Sequence, residues 1–195
     1  MTTPEQDALA RATHAGDLAG VQGGARPAAE ALWQALAQVP DPEIPVVSVV
    51  ELGIVRDLAW HGERLRVSVT PTYSGCPATD VIRDGIREAL LAAGVPAVDV
   101  VTVLSPAWTT DWIAPEARSK LRAYGIAPPG CAAPRGDVRV DVSGISPLRR
   151  ATAPVPCPRC GSAATSLLAQ FGSTACKALY RCDACREPFD YFKPH

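Results

Sequence analysis

Hydrophobic positions along this chain change their period several times, and each change marks an element. Leu32, Trp33, Leu36 and Val39 recur at helical spacing and predict a helix over 28–38, with Pro27 at its start and Pro40 ending it. Asp41-Pro42-Glu43-Ile44-Pro45 cannot be helix interior and reads as a stiff, extended acidic loop. Ser48 to Gly53 is expected to add one turn. The pattern then alternates: Ile54–Trp60 places Ile54, Leu58 and Trp60 on one face, and Leu65, Val67 and Val69 alternate with Arg66 and Ser68. His61-Gly62-Glu63 joins the two runs as a hairpin. Helical spacing returns with Val81, Ile82, Ile86, Ala89, Leu90 and Ala93, predicting a helix over 77–93 stopped by Gly94. Val98–Leu104 is an apolar strand run, and Pro115 opens a short last helix over Glu116–Tyr124.

Past residue 125 this regularity lapses into proline, glycine and arginine, with one strand expected at Val138–Val142. The expected organisation is a flexible leader (1–26), an α/β (α+β) two-layer domain (27–125), a linker or belt (126–154) and a cysteine module (155–195). The chain's 195 residues suit one domain of ordinary size plus a small module, and 47% hydrophobic residues suffice for a core. A net charge of −1 gives no electrostatic footprint for nucleic acid or an anionic membrane. No run approaches the ~20 apolar residues that span a bilayer, and the leader lacks the apolar core of a secretory signal.

The cysteines change the picture most. Seven is an odd number, and four of them form Cys157-Pro158-Arg159-Cys160 and Cys182-Asp183-Ala184-Cys185, separated by 21 residues. Two such pairs can wrap one ion through four thiolates, which predicts a structural zinc site; iron in the same cage is the alternative. A module of this size cannot fold on a hydrophobic core by itself, and structural zinc supplies ~10–16 kcal/mol of apparent folding free energy. Phe171, Leu179, Tyr180, Phe189, Tyr191 and Phe192 are expected to cover one face of the ribbon. Cysteines at metal spacing point to a reducing, cytoplasmic setting rather than a disulfide framework.

Cys76 is a second candidate. Pro77 suits a first helical residue, which would put Cys76 at or beside the N-cap, where dipole and free amides depress a thiol's pKa. Such a thiol can ligate a metal or react, or simply cap the helix. Nucleophilic catalysis needs a base, and none of His14, His61 and His195 is an evident partner. Asp41 and Glu43 can assist a metal, bind a partner or be a solvated loop. Trp108 and Trp112 read first as core, Cys176 as a small buried hydrophobe, and Cys131 has no assigned role.

Two sets of motifs carry a resemblance. Asp41-Pro42-Glu43-Ile44-Pro45, Glu51-Leu52-Gly53-Ile54-Val55 and Thr72-Tyr73-Ser74-Gly75-Cys76-Pro77 resemble the small iron–sulfur assembly domain of SufT-type proteins and cytosolic iron–sulfur targeting factors, over about residues 27–125. Ser105 to Ile113, the tail Phe171 to Cys182 and Glu187 to Lys193 resemble the PaaD family of the ring-1,2-phenylacetyl-CoA epoxidase system. The combination covers nearly the whole chain past the leader.

The resemblance implies a bacterial, cytoplasmic protein of aerobic phenylacetate degradation whose partners are the oxygenase and reductase components of a di-iron monooxygenase. It implies an accessory part in assembling or inserting a metal centre. It gives Cys76 the role of iron or cluster transfer, with Asp41 and Glu43 in support, and it brings Cys176 into a motif. The chain has no Glu-x-x-His pairs of the kind a di-iron oxygenase carries, which agrees with an accessory role over a catalytic one. Three readings follow. One is a maturation factor in which Cys76 transiently holds iron or an iron–sulfur cluster, sharing ligands across a homodimer or with the client. The others are a non-catalytic structural component of the epoxidase complex and an electron-transfer component with iron in the four-cysteine site.

Overall fold

The computed structural model describes residues 26–130 and 154–194. The leader up to residue 25, Cys131, the strand expected at Val138–Val142, His14 and His195 lie outside the described residues.

Helix α1 (Ala29–Ala37) is followed by a hairpin of β1 (Val55–His61) and β2 (Arg64–Val69), then α2 (Thr79–Ala92) and β3 (Ala97–Thr102). β1 and β2 run antiparallel while β3 lies parallel to β2, so the strand order is β1-β2-β3 with α2 as the crossover. Period-two alternation in β2 turns Leu65, Val67 and Val69 inward, and their cross-strand partners Trp60, Leu58 and Val55 share that face. A bulge between Val55 and Asp57 lets Ile54 and Val55 both be buried at the strand's start. α2 places Ile82, Ile86 and Leu90 against β3, and α1, packed on α2, adds Leu32 and Leu36 to the same core. Each such side chain, when fully buried, contributes about 1.5–3 kcal/mol of transfer free energy. The result is the expected α+β arrangement of helices on a small sheet.

The acidic loop departs from expectation. It is a closed turn rather than an extended segment. The Asp41 N–H donates to Val47 O, Val47 N–H donates to Ile44 O, and Pro40 bridges to Ser48. Asp41 Oδ1 accepts from the N–H groups of Glu43 and Ile44 at 2.9 and 2.8 Å, the side-chain-closed turn that aspartate favours. Next comes the predicted extra turn, held by reciprocal hydrogen bonds between Ser48 and Glu51. It ends at Gly53, whose φ is +68° and where an added β-carbon would lie 2.7 Å from Trp112, too close to fit.

Helix α3 (Pro115–Tyr124) ends on Gly125 at φ +95°. The chain then makes β4 (Ile126–Ala127) where the linker was expected to begin. β4 joins the second sheet, in the order β4-β7-β6-β5, with β5 (Thr165–Ala169), β6 (Lys177–Cys182) and β7 (Pro188–Phe192) antiparallel. Residues 126–127 are therefore an edge of the ribbon.

The two faces of β7 serve different cores. Phe189 packs with Ala127, Val155, Cys157 and Cys182 under Tyr180 and Tyr191. Phe192 turns the other way, into the core of the first domain, with its ring 6.0 Å from that of Trp108. Trp108 is itself fixed by its Nε1–H donating to Leu52 O at 3.0 Å. Phe171, expected to help cover the ribbon, is instead 67% exposed with Lys193 over its ring.

Candidate functional site

The four ribbon cysteines converge. Their sulfurs all lie within 4.8 Å of one another, with Cys157–Cys185 at 3.8 Å and Cys160–Cys182 at 3.5 Å. A tetrahedral site with metal–sulfur bonds of about 2.3 Å has sulfur–sulfur edges of about 3.8 Å, so the donors already match a four-thiolate ion. Each pair sits in the same tight knuckle. The Gly161 N–H donates to Cys157 O, and the Arg186 N–H donates to Cys182 O. The residue after each second cysteine is left-handed: Gly161 at φ +76° and Arg186 at φ +68°. Sequence supplied the expected glycine at the first knuckle but an arginine at the second. The four thiols share their protons: Cys182 is pushed down to about 7, chiefly by the N–H of Cys185, while Cys185 is pushed up to about 12, with its cysteine neighbours contributing.

The second site is a cavity of about 20 Å³ between the first domain and the ribbon. Asp41 and Glu43 reach it from the acidic turn, Cys76 from the loop before α2, and Cys176 from the segment entering β6. Phe192 and Ile44 are among its apolar walls. The Cys176 thiol is 3.5 Å from Glu43 Oε2 and 3.1 Å from Thr174 Oγ1. Lys177, next along and buried, pairs with Asp190 at 3.5 Å.

Electrostatics here run opposite to the helix-dipole expectation for Cys76. α2 begins at Thr79, so Cys76 precedes its N-cap, Ala78, by two residues. Burial raises the Cys76 thiol above its ordinary range and the charges of Glu43 and Asp41 add to this, although the Ala78 N–H and Thr79 hydroxyl oppose them. Cys176 is pushed up to about 11, mainly by burial, with Glu43 beside it contributing. Asp41 is likewise raised by burial. Tyr73, at the same place, is pushed up to about 12 by burial and then by Cys76, Glu43 and Cys176. The cavity by itself thus favours neutral thiols; a cation entering it would favour thiolates.

The structure brings together Cys76, Asp41 and Glu43, which the sequence had proposed as a group. It places Cys157, Cys160, Cys182 and Cys185 in a separate cluster. Cys176 is the cavity residue that residue-by-residue reading assigned to mere burial; its position inside the tail motif was the one available signal. Trp112 carries the Arg56 guanidinium 3.4 Å above its ring, away from the cavity's lining.

An assembly-type α+β domain bearing a carboxylate-flanked thiol, joined to a four-cysteine β-ribbon, defines a two-domain metal-handling protein. Two family models match the chain: one described as iron–sulfur cluster assembly protein matches residues 29–105, and one described as PaaD zinc beta ribbon domain matches residues 143–193. The chain is 51% identical, over 87% of its own length and 94% of the relative's, to the Escherichia coli K12 protein provisionally named as the D component of 1,2-phenylacetyl-CoA epoxidase. It belongs to that family, the PaaD proteins of the phenylacetyl-CoA epoxidase system. It is also 38% identical, over 42% of its length and 81% of the relative's, to the Fe–S protein maturation auxiliary factor YitW of Bacillus subtilis strain 168. Among solved structures, a domain of unknown function from Bacillus anthracis is 28% identical over 47% of this chain and 89% of its own, with a TM-score of 0.44. A conserved hypothetical protein of Thermotoga maritima is 32% identical over 49% and 95%, with a TM-score of 0.43. Among the described residues no helix is long and apolar enough to cross a membrane.

Proposed function

We propose that this protein is a cytoplasmic accessory factor that helps build the metal centre of a phenylacetyl-CoA epoxidase, with Cys76 as the thiol that carries iron to the client. The observation that carries this reading is the position of Cys76 in an assembly-type domain, beside Glu43 and Asp41 on a cavity able to take a cation. The protein's own role in this reading is handling iron, with epoxidation left to the oxygenase component. Zinc is the proposed occupant of the four-thiolate knuckles, which hold the ribbon together and, through Phe192, press it onto the first domain. The oxygenase and reductase components are the proposed partners, and a homodimer is one way in which ligands to the carried metal would be shared.

Co-expression of the epoxidase components with Cys76→Ala tests this. Client iron content should fall severalfold while the variant stays folded and zinc-loaded; normal client iron would refute the carrier role. A second reading, a permanent structural component of the complex, draws on Leu167, Leu168 and Phe171, which stand 47%, 50% and 67% exposed on the ribbon. Stoichiometric co-purification with the epoxidase, unaffected by Cys76→Ala, would favour it. A visible band that bleaches on reduction would instead indicate iron in the knuckles.

A further inference from the structure

We propose that Cys76, Cys176 and Glu43 form a second metal site, built from both domains of one chain, that takes a single ferrous ion rather than an iron–sulfur cluster. This deepens the carrier reading and rests on it for the choice of iron.

Three observations carry it. First, the donors converge from three separate stretches of sequence on one cavity: Glu43 from the acidic turn, Cys76 from the loop before α2, Cys176 from the ribbon. The Cys176–Glu43 contact at 3.5 Å spans the domain boundary. Asp41 has a different task, since its Oδ1 is engaged by two backbone N–H groups that fix the turn presenting Glu43. Second, the volume is small. About 20 Å³ suits one water-sized body, for which roughly 10–15 Å³ is the minimum. A sulfide-bridged cluster needs more room and, as a rule, four cysteine thiolates, whereas this cavity offers two. Third, two thiolates with a carboxylate form a mixed soft and hard donor set, suited to a borderline dication such as Fe(II). The second thiol comes from the same chain, so no ligand from another copy is required.

The site differs from the knuckles in a way that fits a cargo. Among the described residues, the ribbon cysteines are the group of three or more donors placed to hold an ion as they stand. Loading the cavity therefore requires its donors to draw closer. On loading, each thiol gives its proton to solvent and the sulfur lone pairs bind the ion, with no change of oxidation state. On release the thiols take protons back.

The test uses the full-length, zinc-loaded protein under anaerobic conditions, titrated with ⁵⁷Fe(II) and, in parallel, with Co(II) as a thiolate-sensitive probe. The expected result is one equivalent of high-spin ferrous iron per chain beyond the ribbon zinc, with no sulfide-bridged signature. Cys176→Ser should weaken Fe(II) binding at least about tenfold and remove about half the sulfur-to-cobalt charge-transfer intensity, with ribbon zinc retained. Glu43→Gln should weaken binding while leaving both sulfur bands, and it carries the test if Cys176→Ser does not fold. Unchanged Fe(II) affinity in the folded variants, or uptake that occurs only as a cluster when sulfide is supplied, would overturn the proposal. The two readings fail separately: loss of client iron in Cys76→Ala with unchanged Fe(II) binding by Cys176→Ser sinks this site but not the carrier role. Normal client iron with the expected titrations does the reverse.

Discussion

The thiol of Cys176 donates to Glu43 Oε2 at 3.5 Å, joining two residues 133 positions apart in sequence and belonging to different domains. That contact lies on the cavity that Cys76 also lines. It exists because Phe192, later in the same ribbon, is buried against Trp108 in the first domain's core. Access to Cys76 and the seating of the ribbon are therefore one structural problem.

The first prediction concerns that seat. Phe192 is 1% exposed, and truncating a buried Phe to Ala costs about 3–5 kcal/mol. Phe192→Ala should lower the thermal midpoint of the whole chain and raise the alkylation rate of Cys76 and Cys176 together, while leaving ribbon zinc in place. Mass-spectrometric counting of alkylated thiols against time would check it. A change in Cys176 labelling with Cys76 unaffected would show that the ribbon does not cover Cys76.

A second prediction concerns the knuckles. Structural zinc contributes ~10–16 kcal/mol of apparent folding free energy in small domains, so Cys160→Ser or strong chelation should unfold β5, β6 and β7. Because Phe192 and Cys176 belong to the first domain's core, the loss should spread there, lowering its stability without abolishing its α1–α2–sheet fold. Amide exchange before and after chelation would show protection lost in the ribbon and reduced around Trp108. Unchanged protection near Trp108 would mean that the two domains are energetically independent.

Much of this was legible in sequence because it is local. Periodicity placed α1, α2, α3 and the hairpin within a residue or two, and C-x-x-C spacing picked out the four cysteines whose sulfurs converge. The misses all needed three dimensions. The proline-bracketed Asp41–Pro45 segment looked extended because its closure depends on the Asp41 side chain bonding two amides. Cys76 looked like a dipole-activated cap, but the helix starts later, at Thr79, and burial beside two carboxylates reverses the shift. Cys176 looked inert because nothing local signals a partner 133 residues away. Strand β4 has two residues, too short for any pattern.

A third prediction compares two left-handed positions. Gly53→Ala meets both an unfavourable φ and the backbone of Trp112 at 2.7 Å, so it should cost more than the about 1–2 kcal/mol of the conformation itself. Arg186→Gly relieves the same conformation at the second knuckle and should stabilise the ribbon by up to about 1 kcal/mol, since glycine's greater freedom when unfolded offsets part of the gain. Denaturant midpoints should move in opposite directions. A destabilised Arg186→Gly would mean that its side chain does more than occupy the turn.

The fourth prediction follows from the thiol facing Glu43. Cys176 is raised from an ordinary 9.0 to about 11 in the folded protein, chiefly by burial. Its neutral form is thus favoured by folding. Between pH 9 and pH 11 the unfolded chain has already lost this proton while the folded chain keeps it, so unfolding releases a proton and stability falls as pH rises. The contribution is fully present below about pH 9 and gone above the folded value. Urea midpoints measured from pH 8 to pH 10.5 should therefore fall more steeply for the wild type than for Cys176→Ser, whose hydroxyl does not titrate in this range. Tyr73 and Cys76 titrate in both proteins, so the difference between the two slopes reports Cys176 together with the part of the Tyr73 shift that Cys176 causes. Filling the cavity with a dication should reverse the Cys176 contribution below about pH 9, because a ligated sulfur holds no proton in the folded chain while the unfolded thiol takes one up; parallel slopes without metal would show that Cys176 ionises as freely in the folded chain as in the unfolded one.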